Sequence, residues 1–309
     1  MKATYHLLLL LTAFFFGACA QTDSKAVLPA SERLKVVTTT SILGDAVQHI
    51  VGDAADVVSI MGSGVDPHLY KATQGDLQKL TEADVVVYNG LHLEGKMGEV
   101  MEKLSRQKTI VTATAGIPKT SLRQSPQFQS SHDPHVWFDV ELWQQVVQHL
   151  SQELQKKDPS RATIYQQNTQ AYIQELKELD QWVTQQIHSI PEQQRILITA
   201  HDAFGYFGDA YTIEVRGLQG ISTVSEFGLQ DVSSLVNFIV DNQVKAVFVE
   251  SSVSPKAIEA VVVGSEQKGH PLKIGGTLFS DALGEAGTPE GTFTGMVRHN
   301  VNTIVSSLK

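Results

Sequence analysis

With 309 residues, 42% hydrophobic and 18% charged, the chain has material for two ordinary cores and falls outside the disordered classes. A formal net charge of −9 argues against a nucleic-acid partner, which would select a basic face, and mildly favours a cationic ligand. The one cysteine, Cys19, lies at the end of a leader, so any metal site of the mature chain must use nitrogen and oxygen donors.

The leader reads as a secretory signal. Lys2 supplies the positive end, Leu7 to Phe16 an apolar run too short to span a bilayer, and Gly17, Ala18, Cys19 and Ala20 the small residues. Phe-Gly-Ala-Cys resembles a bacterial lipobox with Phe16 in place of the usual Leu, which predicts a lipid anchor on Cys19. Cleavage after Ala20 at an A-x-A site is the alternative. Residues 20–33 are polar, contain Pro29 and read as a tether.

From Leu34 short β-rich runs alternate with helical stretches, the pattern of a parallel sheet under helices. Strands are predicted at Leu34–Thr40, Ala55–Met61, Ala83–Asn89 and Thr109–Thr114. Helices are predicted at Gly44–Val51, Gly75–Glu82, Glu94–Leu104 and Val140–Lys157. Residues 34–157 thus make an N-terminal α/β lobe. Residues 158–190 follow: Asp158 suits an N-cap and Pro159 a first helical position. No Gly or Pro interrupts Ser160 to Ile190, and Tyr165, Tyr172, Leu176, Leu179, Val183 and Ile187 recur at helical spacing. The apolar seam is short and holds Asn168, which favours a helix bridging two lobes over a coiled-coil dimer. Residues 191–309 repeat the α/β pattern, with strands at Arg195–Ala200, Ile213–Gly217, Lys245–Glu250 and Lys273–Phe279. Helices are predicted at Gln230–Asn242, Pro255–Lys268 and Thr292–Leu308. The expected fold is α/β with two lobes, each a mainly parallel sheet, bridged by one long helix.

The tripeptide Asp-Pro-His occurs twice, as Asp66-Pro67-His68 and as Asp133-Pro134-His135 within HDPHVWFD. Proline stiffens the turn and aims the imidazole that follows it, which suits metal ligation. In open α/β sheets ligands bind beyond the carboxyl ends of the strands. His68 and His135 stand there in the first lobe, His201 and Asp281 in the second. Three imidazoles and one carboxylate suit Zn²⁺ or Mn²⁺. Glu250 and Asp202 also stand at strand ends, where they would orient imidazoles. Trp137 would pack beneath the site. His132 is spaced to reach the same ion, although a loop His such as it or His92 is more often solvated. The remaining His residues of the mature chain fall on predicted helices or their ends.

The segments VDPHLY, NGLHLE, DPHVWFD, TAHDAFGYF, GLQGIST and GGTLFSDALG resemble the TroA-like family, the metal-binding lipoproteins of bacterial ABC importers for zinc and manganese. The resemblance runs from about Leu34 to the C-terminus. It implies a solute-binding protein of the periplasm or cell surface that captures Zn²⁺ or Mn²⁺ between two lobes, on His68, His135, His201 and Asp281. The ion would pass to a membrane permease driven by a cytoplasmic ATPase. It also implies a monomer that performs no chemistry. Members thought to favour manganese commonly carry Glu where this chain has His201, and zinc-dedicated members often have a His-rich loop where Lys119 to Ser131 has none, so the metal stays open. The rival is an anchored zinc hydrolase on the same ligands with Glu250 as base. The rigid helix further implies small lobe closure, with release through ligand loops loosened by Gly205, Gly208, Gly275, Gly276 and Gly284.

Overall fold

The computed structural model describes residues 33–125 and 131–309. The signal, Cys19 and nearly all of the tether lie outside the described residues. Strands β1 (Leu34–Thr38), β2 (Ala55–Ser59), β3 (Val85–Tyr88) and β4 (Thr109–Thr112) form one parallel sheet in the order β2-β1-β3-β4. In the second half β5 (Ile196–His201) pairs with β6 (Glu214–Gln219), and β7 (Ala246–Glu250) with β8 (Lys273–Leu278), again in parallel. These are two separate two-stranded sheets, but β5 also lies against β7, so the pairs stand side by side in the order β6-β5-β7-β8, which matches the strand order of the first sheet. The two halves therefore share a strand order, and residues beyond their strands meet between them.

The helices are α1 (Ser41–Val51), α2 (Gln74–Glu82), α3 (Met97–Leu104), α4 (Val140–Lys157), α5 (Ala162–His188), α6 (Gly205–Tyr211), α7 (Leu229–Asp241), α8 (Lys256–Gln267) and α9 (Phe293–Leu308). The 27 residues of α5 extend about 40 Å at 1.5 Å per residue. Its buried stripe, Tyr165, Thr169, Tyr172, Leu176, Leu179, Val183 and Ile187, packs on α1 and α4 from one half and on α6 and α9 from the other. One apolar core consequently runs through both halves, from Val36 and Trp143 to Phe293 and Leu308. Smaller clusters lie on the outer side of each sheet, around Val86 and Leu80 in the first half and Val247 and Ile239 in the second.

Three local details differ from the sequence reading. Asp158 does not cap α5, which is preceded by a 3-10 turn at Pro159–Arg161; its carboxylate instead accepts from Ser160 Oγ, Arg161 Nη1 and Tyr165 Oη. Helix α3 starts at Met97 because Gly90, Leu91, His92 and Gly95 take left-handed backbone. That turn buries Glu94, which accepts from Thr39 Oγ1 at 2.8 Å and from the N–H groups of Asn89 and Gly90. Finally, Gly205 and Gly208, expected in a loosened loop, belong to α6. A Cβ at Gly205 would meet the Arg123 guanidinium, and one at Gly208 the Ile213 carbonyl, so these glycines permit close packing.

Candidate metal centre

The two Asp-Pro-His turns have the same internal bond. Asp66 Oδ1 accepts the His68 N–H at 2.8 Å, and Asp133 Oδ1 accepts the His135 N–H at 2.9 Å. A carboxylate bonded two residues onward closes an Asx turn, and the intervening proline fixes its φ. His68 is further held from outside, since a Cβ at Gly95 would approach its carbonyl to 2.5 Å. His201 ends β5, a strand buried on both faces. Asp281 follows β8, whose end is tied to α9 by Phe279 N–H to Asn300 Oδ1 at 2.9 Å and Asn300 Nδ2 to Phe279 O at 2.7 Å.

These four strand-end residues converge. His68 Nε2 lies 3.3 Å from His135 Nε2, and Asp281 oxygens lie 3.8, 3.5 and 3.4 Å from Nε2 of His68, His135 and His201. One donor atom from each falls within 4.8 Å of all the others, and all four residues are buried. A tetrahedral ion with bonds of about 2.1 Å needs donors about 3.4 Å apart, so the spacing fits a bound cation. His201 Nε2 and both Asp281 oxygens are buried without hydrogen-bond partners. Each unmade hydrogen bond costs about 1–3 kcal/mol; the attraction between the Asp281 carboxylate and the His201 ring at 3.4 Å offsets part of that, and a bound cation would satisfy the donor atoms directly.

The imidazoles differ electrically. Burial pulls the His68 pKa down to about 3, with Asp281 opposing and the other two imidazoles adding to the fall. Burial would lower His201 as well, but the Glu250 and Asp281 carboxylates outweigh it and raise its pKa well above the ordinary value. Asp281 is pushed up by burial, yet the three imidazoles hold it well below the usual carboxylate range.

Of the outer residues expected from the sequence, Glu250 takes its place. Its Oε1 accepts the His201 N–H at 2.8 Å, and Oε2 stands 2.5 Å from His201 Nδ1. Asp202 does not: among the described residues no hydrogen bond joins its carboxylate to an imidazole, and its N–H bonds the Gln219 carbonyl at 3.0 Å. The residue that orients His135 is Asp133, with Oδ1 2.8 Å from Nδ1. Sequence reasoning missed this role, although an Asp two residues before a ligand is a legible signal for it. Trp137 packs edge-on against His135 with ring centroids 5.2 Å apart, and its Nε1 donates to Ser280 O at 3.0 Å across the cleft. His132 bonds Gln124 and, with His92, lines a cavity of about 390 Å³ that opens on His68.

Against known proteins, residues 36–307 match the family model for the zinc-uptake complex component A, periplasmic. The chain belongs to this family. It is 49% identical over 300 residues to the manganese-binding lipoprotein MntA of Bacillus subtilis, covering 97% of both chains. It is 48% identical over 273 residues to the zinc-binding protein TroA of Treponema pallidum, covering 88% of both. The solved structure of that periplasmic zinc-binding TroA aligns with a TM-score of 0.87 at 46% identity, over 89% of this chain and 99% of that one.

Proposed function

We propose that the chain is the extracytoplasmic solute-binding component of an ABC importer. It takes Zn²⁺ or Mn²⁺ as cargo on His68, His135, His201 and Asp281. The observation that carries this reading is the convergence of three imidazole nitrogens and a carboxylate with buried, unpartnered donor atoms. Relatives named for manganese and for zinc stand at almost equal identity, which leaves both ions as candidates. The donor set suits both: one Asp281 oxygen with three imidazoles makes a four-coordinate zinc shell, and both oxygens make the higher coordination that manganese accepts.

The role is capture and transfer. A catalytic zinc keeps a position for water and a base beside it, whereas Glu250, the one base the hydrolase reading had, is committed to the backbone and ring of His201. Residues 34–157 and 191–309 serve as the two lobes and 158–190 as their connection. A lipid on Cys19 holds the monomer at the outer face of a membrane, where it hands the ion to a permease with a cytoplasmic ATPase. Relatives named as lipoproteins support the anchor.

Native mass spectrometry with elemental analysis, on protein purified without added metal and then offered equimolar zinc and manganese, tests the reading. One ion per chain is expected, lost when His68 or Asp281 becomes Ala. Retention of the ion by both variants would overturn it.

A further inference from the structure

The segment GLQGIST contributes no donor to the site, yet it forms one wall of the way in. Ile221, Ser222 and Val224 line the cavity that opens on His68, opposite His92 and His132. Two side-chain attachments hold this loop. At its base Gln219, paired with His201 in the β5–β6 register, donates from Nε2 to the carbonyls of Thr223 at 2.6 Å and Ser225 at 2.5 Å. At its tip Thr223 Oγ1 donates across the cleft to Asp66 Oδ2 at 2.6 Å. The same Asp66 carboxylate uses its other oxygen to hold the His68 N–H. The bond is well sheltered, since Thr223 is only 9% exposed, whereas the neighbouring Val224 is 61% exposed.

We propose that the Thr223–Asp66 hydrogen bond is a latch that holds the cavity wall of residues 221–224 to the first half, and that it sets how fast the metal enters and leaves without contributing to how tightly it is held. Three features of the geometry carry this. The bond joins the two halves beside the cavity, with Thr223 between the lining residues Ser222 and Val224 and Asp66 two residues before the lining His68, so moving that wall away from His68 requires breaking it. Neither partner offers an atom to the four-residue donor group. The Asx turn that aims His68 uses the other oxygen of Asp66, so the ligand stays aimed when the Thr223 hydroxyl is lost. A latch that stays closed in both the metal-free and the loaded ground state raises the barrier in both directions and cancels in the equilibrium. Thr223 is therefore a positioning residue for the loop.

The inference rests on the metal-binding reading above, and the test separates the two. Stopped-flow release of Zn²⁺ to an excess chelator, and uptake of Zn²⁺ by metal-free protein, are measured for the wild type, Thr223→Val, Thr223→Ala and Thr223→Ser. Loss of one net hydrogen bond corresponds to about tenfold in rate. Val and Ala are expected to speed release and uptake together by about that factor, with Kd changed less than about threefold. Ser, which keeps the hydroxyl, should restore wild-type rates, and the visible spectrum of the Co²⁺ form should be identical in all four. Rates within twofold of wild type in both Val and Ala would overturn the latch. So would a weakened Kd with an altered cobalt spectrum, which would make Thr223 a support of ligand geometry. A wild type that binds neither Zn²⁺ nor Mn²⁺ would instead overturn the proposed function, and the latch with it.

Discussion

Glu250 holds His201 at two points, accepting its backbone N–H at 2.8 Å with one oxygen and standing 2.5 Å from its Nδ1 with the other. With Asp281 on the opposite ring nitrogen, this imidazole sits between two carboxylates and keeps its proton above the ordinary range, although burial opposes that.

Metal binding should therefore displace a proton. His68, with its pKa lowered to about 3, is already neutral at pH 7, whereas His201 must give up the proton on Nε2 before it can ligate. Zinc binding is expected to release about one proton per ion at neutral pH. Affinity should keep rising with pH beyond about 6.5, where an unperturbed imidazole would have levelled off. Calorimetry in buffers of different ionisation enthalpy measures the release, and a value near zero would contradict this protonation state. The same shift acts on the metal-free fold. A histidine whose folded pKa exceeds its unfolded one stabilises fully below the unfolded value and loses that contribution as pH rises through the folded value. The melting temperature of the metal-free protein should accordingly fall on the alkaline side.

The donors and their supports should separate by size of effect. Alanine at His68, His135, His201 or Asp281 removes a donor outright and should cost more than about a hundredfold in affinity. Asp133→Asn or Glu250→Gln, which only loosen an imidazole, should cost about 10- to 100-fold. Competition titration against a chelator ranks the six variants, and equal losses in both groups would contradict the assignment.

Asp158 gives a stability test remote from the site. It is buried beside Ser160, Arg161 and Tyr165, whose three bonds outweigh desolvation and hold its carboxyl below the usual range. Asp158→Ala should destabilise the metal-free protein by about 1–3 kcal/mol at pH 7, because it removes the acceptor of the buried Tyr165 hydroxyl. A depressed carboxylate stabilises above its unfolded pKa and loses that contribution as pH falls through the folded one. The difference between wild type and variant in urea unfolding should thus shrink in acid. A difference independent of pH would show that packing, and not charge, is what was lost.

Lobe closure should be small. Leu176, Leu179 and Val183 of α5 lie in a core shared by both halves, and hydrogen bonds from Trp137 Nε1 to Ser280 O, from Leu283 N–H to Ser41 Oγ and from Phe293 N–H to Asp45 Oδ2 join the halves directly. Swinging the lobes apart would open that core. The radius of gyration in solution is expected to change by less than about 1 Å on metal binding. Leu179→Ala should cost about 2–5 kcal/mol, since its site is walled by helices from both halves and cannot collapse freely. A large change in scattering on loading would rule out the rigid core.

Much of this protein could be read from its sequence because the signals are local. The strands follow from Val-rich runs such as Val85 to Val87, and α5 follows from the spacing of Tyr172, Leu176, Leu179 and Val183. The stiff His68 and His135 turns follow from a proline in the preceding position. Strand ends gather on one side of a parallel sheet by topology, so the loops beyond the strands, read together with the family resemblance, pointed to His68, His135, His201 and Asp281, which the fold brings within 4.8 Å of one another. Tertiary structure decided what depends on contacts between distant segments. The inward-folded Glu94 accepts from the hydroxyl of Thr39, 55 residues away, a contact that the local pattern around α3 does not announce. Asp133 rather than Asp202 orients an imidazole, because Asp133 is bonded within its own turn while the Asp202 backbone is drawn onto β6. Thr223 meets Asp66 across 157 residues of chain. Hydrophobic periodicity and turn chemistry act within a few residues and so leave their mark in the sequence. A hydrogen bond between residues far apart in the chain leaves no such mark, and only the packing of the two halves on α5 brings its partners together.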